Sequence, residues 1–260
     1  LGFFVFERSV KTIERIQNYW NNRAKTYSEG INEELNSFKR DAWKKIIRDK
    51  VGDKDNIKAL DIGTGPGFFA IIMSELGYDV TAVDSSISMI EEAKYNAKVA
   101  GANIRFILND GENLNLPKEE FDLIINRNVT WLLTDPIKTY RDWHELLKED
   151  GKLLIFDANW YIGVTRPEMK EQYKKDLALA MKNGYKYKKR VTDKQSRECE
   201  DIAKTLPLTY KKRPEWDKEV LLSCGFKKVE IDENIDHLIY SKEEQLVTRT
   251  TPTFSICSYK

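Results

Sequence analysis

An α/β fold on a mostly parallel sheet is what this sequence predicts, and three observations predict it. First, residues 57–62 form an apolar, strand-like run that passes through a turn with glycines at 63, 65 and 67 into a compact helical stretch, 68–76. Second, Gly77 closes that stretch as a left-handed cap, and a second strand-like run, 79–83, follows at once and ends on Asp84. A right-handed strand, helix, strand unit lays its two strands parallel. Third, strand and helix signals continue to alternate downstream. Ser85 or Ser86 serves as N-cap, a helix runs to Ala100, Gly101 stops it, and residues 104–108 read as a strand. Residues 121–126 read as the fourth strand, Thr134-Asp135-Pro136 as a helix start with proline in the first turn, 137–147 as that helix and 152–156 as the fifth strand. A charged helix at 167–183 stops at Gly184; 215–224 is a helix capped by Gly225, 227–231 a sixth strand and 254–259 a last one. Upstream, Ile13, Ile16 and Trp20, then Leu35, Phe38, Trp43, Ile46 and Ile47, supply apolar faces at helical spacing.

The crossover sets the glycine turn and Asp84 on one carboxyl edge of the sheet, where open α/β folds bind ligands. A carboxylate there can accept both hydroxyls of a ribose. Two cofactor classes use that geometry, and spacing separates them. A dinucleotide turn favours G-x-G-x-x-G, whose third glycine lets the helix pack close and receive a pyrophosphate; here Phe68 stands at that place. Asp61, at the end of the first strand, sits poorly beside a pyrophosphate and suits a ligand bearing an ammonium and a sulfonium. Both points favour S-adenosylmethionine over NAD.

Leu60-Asp-Ile-Gly-Thr-Gly-Pro-Gly67 resembles motif I of the class I S-adenosylmethionine-dependent methyltransferases. Val83-Asp84-Ser85 with Met89 resembles the second motif, Asn109-Asp110-Gly111-Glu112 the acidic turn beside the adenine, and residues 121–126 the fourth strand. Residues 146–153 resemble the segment leading into strand five, with Asp150-Gly151 where Gly-Gly is usual. The resemblance covers 57–157 and resumes near Trp216. It implies a Rossmann-like seven-stranded, mostly parallel sheet whose antiparallel last strand is inserted beside the fifth. It also implies a core of residues 57–158 and 214–260, an N-terminal helical lid at 1–56, and a substrate cap inserted at 159–213, where the family core has no counterpart. S-adenosylmethionine is the implied cofactor and S-adenosylhomocysteine the product. The cofactor residues it implies are Asp61, Gly63, Thr64, Gly65, Gly67 and Phe68, then Asp84, Ser85 and Met89, then Asp110, Gly111 and Glu112, and lastly Asn126 and Arg127. Tyr19-Trp20-Asn-Asn-Arg23-Ala24-Lys-Thr-Tyr27 resembles a segment that folds over the cofactor in small-molecule methyltransferases. Tyr19 and Tyr27 are its cofactor candidates, since an aromatic face attracts a cation; Trp20 reads as packing between helix and sheet.

Substrate candidates come from the same edge. Residues 126–131 lack the Asn/Asp-Pro-Pro-Tyr/Phe of enzymes that methylate exocyclic base amines, which disfavours base methylation by that route. Trp131 stands open between substrate contact and core, and Arg127 between cofactor contact and an ion pair with Asp135, because an arginine just past a buried strand needs a partner. Asp157-Ala-Asn159-Trp160-Tyr161 leaves the fifth strand with a carboxamide and two aromatics that suit substrate contact. His237, beside Asp236 in the loop after the sixth strand, is the weak candidate for a general base, ahead of His144 on a charged surface helix. No metal is expected.

Composition narrows the partners. The 260 residues, 41% hydrophobic and 33% charged, suffice for one full α/β core with additions. Forty-three Lys and Arg against 42 Asp and Glu leave a net charge of +1, so no global field draws the chain to nucleic acid or to anionic lipid. Lys186, Lys188, Lys189 and Arg190, interleaved with Tyr185 and Tyr187, and Lys211-Lys212-Arg213 could hold an RNA backbone or an anionic metabolite; neighbouring Glu198, Glu200 and Asp201 speak for a solvated face. Cys199, Cys224 and Cys257 are scattered and odd in number, which suits a reducing, cytoplasmic setting and no zinc site. The apolar start, 1–6, is too short for a membrane span, and Leu1 in place of Met leaves the native N-terminus open; the sequence does not fix the oligomeric state.

The expected activity is methyl transfer to N, O, S or C of a small molecule by in-line displacement. The alternatives are an RNA or protein methyltransferase using the basic cap, an NAD-dependent oxidoreductase, and a non-catalytic cofactor-binding protein.

Overall fold

Seven strands form one sheet in the order β3-β2-β1-β4-β5-β7-β6. In chain order these are β1 Lys58–Ile62, β2 Asp79–Asp84, β3 Ile104–Leu108, β4 Phe121–Arg127, β5 Leu147–Asp157, β6 Lys228–Asp232 and β7 Phe254–Tyr259. Strands β1 to β5 pair in parallel, and β7 runs antiparallel between β5 and β6. The computed structural model describes residues 2–52 and 54–260, with side chains from residue 11 onward. Strand order reverses direction between β1 and β4, and that switch point opens the crevice at their carboxyl ends.

Alternation along the strands sorts the core into two layers. On one face, α2 (Lys39–Val51) and α3 (Phe68–Glu75) cover Ala59, Leu123, Ile125, Leu154 and Phe156, with Trp43 set edge-on to Phe69 and Phe156. On the other, α5 (Pro136–Leu146) and α9 (Glu215–Ser223) cover Leu60, Ile62, Ile124, Leu153 and Ile155 through Tyr140, Trp143 and Leu221. The helix α4 (Ile87–Ala100) begins at Ser86, whose hydroxyl accepts the Met89 N–H at 3.1 Å, and ends at Gly101 in the left-handed region at φ 67°. The 34-residue helix α1 (Gly2–Leu35) lies over α4 and is pinned there by side-chain amides: Asn32 donates to Asn96 at 3.1 Å and Asn96 to Ser28 at 3.0 Å.

Strand β5 begins at Leu147, five residues before the expected 152. The helix α5 passes into it with no intervening loop, and the register against β4 then slips between Phe121 and Leu123. Asp150, at φ 62°, takes the left-handed conformation that glycine adopts most readily and aspartate tolerates. Residues 159–213 fold into α6 (Ile162–Thr165), α7 (Glu168–Lys182), α8 (Asp193–Ala203) and a 3₁₀ turn, Pro207–Tyr210. Helix α8 was not foreseen, although Thr192 and Gln195 form a capping box at its start. Two short helices, α10 (Asp236–Ile239) and α11 (Lys242–Thr248), stand between β6 and β7, and Ser241 with Glu244 repeats the capping box at α11. His144 is less exposed than a surface position: its ring lies edge-on to Phe226, 4.9 Å between centroids. Among the described residues, no helix is long and apolar enough to cross a membrane, and no group of His, Cys, Asp and Glu is placed to hold a metal.

Candidate functional site

Three positive-φ glycines shape the turn after β1: Gly63 at 67°, Gly65 at 52° and Gly67 at 92°. A side chain at Gly63 would collide with Val129 of the loop after β4, so the turn needs glycine for closeness as well as for φ. Asp61 fixes the turn from behind. Its Oδ2 accepts the Thr64 hydroxyl at 2.6 Å and the Ala70 N–H at 3.0 Å, and burial pushes its carboxyl up to about 7. Asp84 holds the front: Oδ2 accepts the Gly65 N–H at 2.8 Å and Oδ1 the Ser86 N–H at 2.9 Å. Burial pushes Asp84 up to about 6, against the pull of those amides.

Between this turn and α1 lies a cavity. Of the proposed cofactor residues, the structure sets Tyr27, Gly63, Gly65, Asp84, Ser85, Met89, Asp110, Gly111, Glu112 and Arg127 around it. The other proposed cofactor residues do not line it. Asp61 and Thr64 are spent on each other beneath the turn. Gly67 faces the α4 backbone at Ala93, and Phe68 packs in the core under the Arg127 guanidinium, 4.0 Å from its ring centroid. Asn126 is turned by strand alternation to the face opposite Arg127, fully buried, with neither amide atom partnered among the described residues. Tyr19 packs instead with Ile16, Trp131, Cys199 and Ile202, and burial raises its phenol well above the usual value.

Trp20, read from sequence as packing, is the residue that reaches the cavity, edge-on to Tyr27 with centroids 5.4 Å apart. A signal for it was present. Ile13, Ile16, Trp20 and Tyr27 are separated by helical steps of three, four and seven, which put them on one stripe of α1, whereas Tyr19 lies on the next. Asn128 and Val129 were also missed as lining residues. Asn128 adopts φ 61°, a conformation asparagine tolerates, and its carbonyl accepts the Trp131 indole N–H at 3.0 Å.

Asp110 and Glu112 mainly shape the far wall. All three hydrogen bonds to Asp110 reach Oδ1, leaving Oδ2 unengaged among the described residues. The Glu112 carboxylate accepts the N–H groups of Thr134 and Asp135 at 2.8 Å each, so it offers the cavity chiefly its backbone. Arg127 does not pair with Asp135, which caps α5 through the Lys138 N–H; its partner is Glu34 of α1 at 2.7 Å.

The substrate candidates part company. Trp131, Asn159, Trp160 and Tyr161 line a groove beside the 3₁₀ turn at Pro207–Tyr210. Trp160 also borders a second cavity, which shares Tyr27, Arg127 and Asn128 with the first. Asn159 is engaged with the Arg213 carbonyl at 3.1 Å and Trp160 with Asp157 at 2.9 Å. His237 sits exposed on the single turn of α10 and lines none of these spaces, although Ile239, Tyr240 and Glu244 of the same segment border the second cavity.

The first cavity suits S-adenosylmethionine. A half-buried carboxylate ends β2 in direct hydrogen-bond contact with the glycine turn, Met89 and Ile62 give apolar walls, and a side chain at Gly111 would come within 2.6 Å of Ile62 and fill the crevice.

Comparison with known proteins agrees with that fit. Residues 53–223, well over half the chain, match the family described as a methyltransferase domain. A ubiquinone biosynthesis O-methyltransferase of Pelagibacter ubique is 34% identical over 119 residues, 44% of this chain and 49% of that protein. A glycine/sarcosine N-methyltransferase of Aphanothece halophytica is 32% identical over 108 residues, 40% and 41% of the two chains. The chain thus spans less than half the length of these curated relatives. The crystal structure of a methyltransferase dependent on S-adenosylmethionine from Aquifex aeolicus shares the fold at 16% identity, with a TM-score of 0.54 over 89% of this chain and 97% of that one. The chain belongs to the methyltransferase domain family and, within it, to the class I S-adenosylmethionine-dependent methyltransferases.

Proposed function

We propose that the chain binds S-adenosylmethionine between the glycine turn and α1 and transfers its methyl group to a small-molecule acceptor. The observation that carries this reading is the meeting of Asp84, the Gly63-Thr64-Gly65 turn and the Trp20–Tyr27 stripe around one cavity that shares a wall with a second. The two relatives named for a ubiquinone-pathway step and for glycine and sarcosine support a small acceptor. Residues 1–56 then act as a lid and 159–213 as a cap over the acceptor. Three buried free thiols suit a reducing, cytoplasmic setting.

When bound, the cofactor supplies an electrophilic methyl on a sulfonium. The chain's residues position and exclude water. Asp84 accepts from the ribose, Met89 and Ile62 flank the base, and Trp20 with Tyr27 closes the side toward α1. Burial raises the Tyr27 phenol, so it stays neutral rather than acting as a base. No histidine lines the shared wall of the two cavities among the described residues. Rate enhancement then rests on holding the nucleophile in line within a dry pocket.

A macromolecular acceptor on the basic cap is the weaker reading. Arg213 is buried, and Lys189 and Lys212 pair with Asp193 at 2.6 Å and Glu215 at 2.8 Å. Incubation with methyl-labelled S-adenosylmethionine and fractionated extract tests the choice: label should enter the metabolite fraction, and label confined to RNA or protein would overturn the small-molecule reading.

Affinity should also depend on pH. Burial pushes Asp84 up to about 6, against 3.8 for a free aspartate, and its ionised form is the stronger acceptor for a ribose hydroxyl. S-adenosylhomocysteine affinity should therefore rise with pH up to about 6 and level off above, falling by up to about tenfold per unit below. The apoprotein moves the other way. With Asp61 and Asp84 raised above their unfolded values, the folded state binds the extra protons, and stability falls as pH climbs from about 4 to about 7. The rise in Tm on adding S-adenosylhomocysteine should be larger at pH 7.5 than at pH 5; the reverse order would contradict the assignment.

A further inference from the structure

We infer that the second cavity is the acceptor site and that it selects an anionic acceptor, a carboxylate or phosphate monoester carried on a planar body. The inference rests on the methyltransferase reading above, since the cavity gains its meaning from sharing Tyr27, Arg127 and Asn128 with the cofactor cavity.

Its walls come from the C-terminal half of α1, the start of α2, the segment from Tyr185 to Arg190, and the α10–α11 region. Five cationic side chains face three carboxylates there: Lys39, Arg127, Lys186, Lys188 and Arg190 against Glu33, Glu34 and Glu244. Two positive charges are left in excess, in a chain whose net charge is only +1. The excess is local.

The ion pairs divide by exposure. Arg127 with Glu34 at 2.7 Å and Lys39 with Glu244 at 2.5 Å are shielded, the cationic side chains being 13% and 11% exposed. Lys39 also lies 4.8 Å from the Tyr240 ring centroid. These pairs are fixed walls, because separating shielded charges strands them. Glu33 is different. It serves both Lys188 at 2.8 Å and Arg190 at 2.6 Å while half of its side chain meets water. Pairs that open hold weakly and exchange readily. Lys186 has no carboxylate partner among the described residues, and of the three carboxylates in the lining only Glu33 is exposed, shared between Lys188 and Arg190 on the solvent side of the cavity.

A carboxylate or phosphate entering there displaces Glu33 from Lys188 and Arg190 and recruits Lys186, forming the charge-assisted bonds that hold anions best. Trp160, Tyr185 and Tyr240 supply flat walls for a planar body. With its anion at the mouth, the far end of the acceptor lies toward Tyr27 and Asn128, on the wall shared with the cofactor. An acceptor whose only charge is an ammonium meets the excess of like charge instead.

The test uses the full chain saturated with S-adenosylhomocysteine and calorimetric titration of three probes: phenyl phosphate, benzoate and benzylamine. At least one anion should bind, and benzylamine should not. Phenyl phosphate alone identifies a phosphate monoester site, benzoate alone a carboxylate site. Lys188→Gln/Arg190→Gln should weaken the anion by about tenfold or more, whereas Glu33→Gln, which removes the internal competitor, should tighten it by about threefold. Circular dichroism and an unchanged S-adenosylhomocysteine affinity check that both variants are folded. Failure of both anions to bind, preference for benzylamine, or indifference of the anion to both variants overturns the proposal. Failure of S-adenosylhomocysteine itself to bind is a separate result and removes the methyltransferase reading instead.

Discussion

Arg213→Met should destabilise the fold by about 3–5 kcal/mol, the size of loss seen when one member of a buried ion network is removed. Its guanidinium donates to Asp217 at 2.8 and 3.1 Å, to Asp157 at 3.2 Å and to the Thr130 hydroxyl at 2.6 Å, and no member of this set is more than 4% exposed. Tyr140 adds a bond to Asp217 at 2.5 Å, and Asp157 also accepts from the Trp131 and Ala158 backbone and the Trp160 indole. Removing the cation therefore leaves two carboxylates in an apolar layer with no counter-charge. Urea denaturation at pH 7.5 measures the effect through the midpoint at unchanged slope. Adding Asp217→Asn to Arg213→Met removes one stranded charge and should recover part of the loss. A loss below 1 kcal/mol, or no recovery in the double variant, would show that the charges are not the source of the stability. The network also ties the ends of β4 and β5 to the start of α9, which fixes the loop carrying Asn128 and Val129 between the two cavities.

That network marks where sequence reading ran out. Arg213 looked like the last residue of a surface basic run, and nothing local distinguishes it from Lys211 and Lys212; only the tertiary meeting of Thr130, Asp157 and Asp217 buries it. The sheet was far more legible. Each of its first three strands is bracketed by a glycine or cap whose geometry is local: Gly77 at φ 82°, Ser86 as N-cap, Gly101 at φ 67°. The lining of the first cavity was legible wherever it is backbone-driven, at Gly63, Gly65, Asp84 and Gly111. It was misread where the choice is which side of an element faces in. Tyr19 and Trp20 differ by about 100° around α1, and Asn126 and Arg127 by one strand step; resemblance to a motif names the segment without choosing the face. His237 lies on the single turn of α10, which buries Asp236 and Ile239 and leaves the histidine exposed, an orientation that only the tertiary packing sets. The anionic preference inferred for the second cavity was half visible, as basic residues among tyrosines, but the competing Glu33 lies some 155 residues away from Lys188 in the chain and only the fold brings them to 2.8 Å.

Asp84→Ala should weaken S-adenosylhomocysteine binding by about 1–3 kcal/mol, the usual loss for an acceptor in charge-assisted hydrogen bonds. By itself that result is ambiguous, because Asp84 also accepts the Gly65 and Ser86 N–H groups and its removal loosens the glycine turn. Asp84→Asn separates the two contributions. The carboxamide keeps the volume and one acceptor oxygen but carries no charge, so it should hold the turn better than alanine and still bind the nucleoside more weakly than the wild type. The pH profile is the sharper discriminator. If Asp84 is the group whose ionisation the ribose requires, both variants lose the rise in affinity that the wild type shows as pH approaches 6. Retention of that rise in Asp84→Asn would move the titration to Asp61, which is pushed up to about 7 and sits beneath the same turn through Thr64 and Ala70. Unchanged affinity in both variants would remove Asp84 from the site, and the cavity would then have to hold its ligand through the turn and the aromatic stripe of α1 alone.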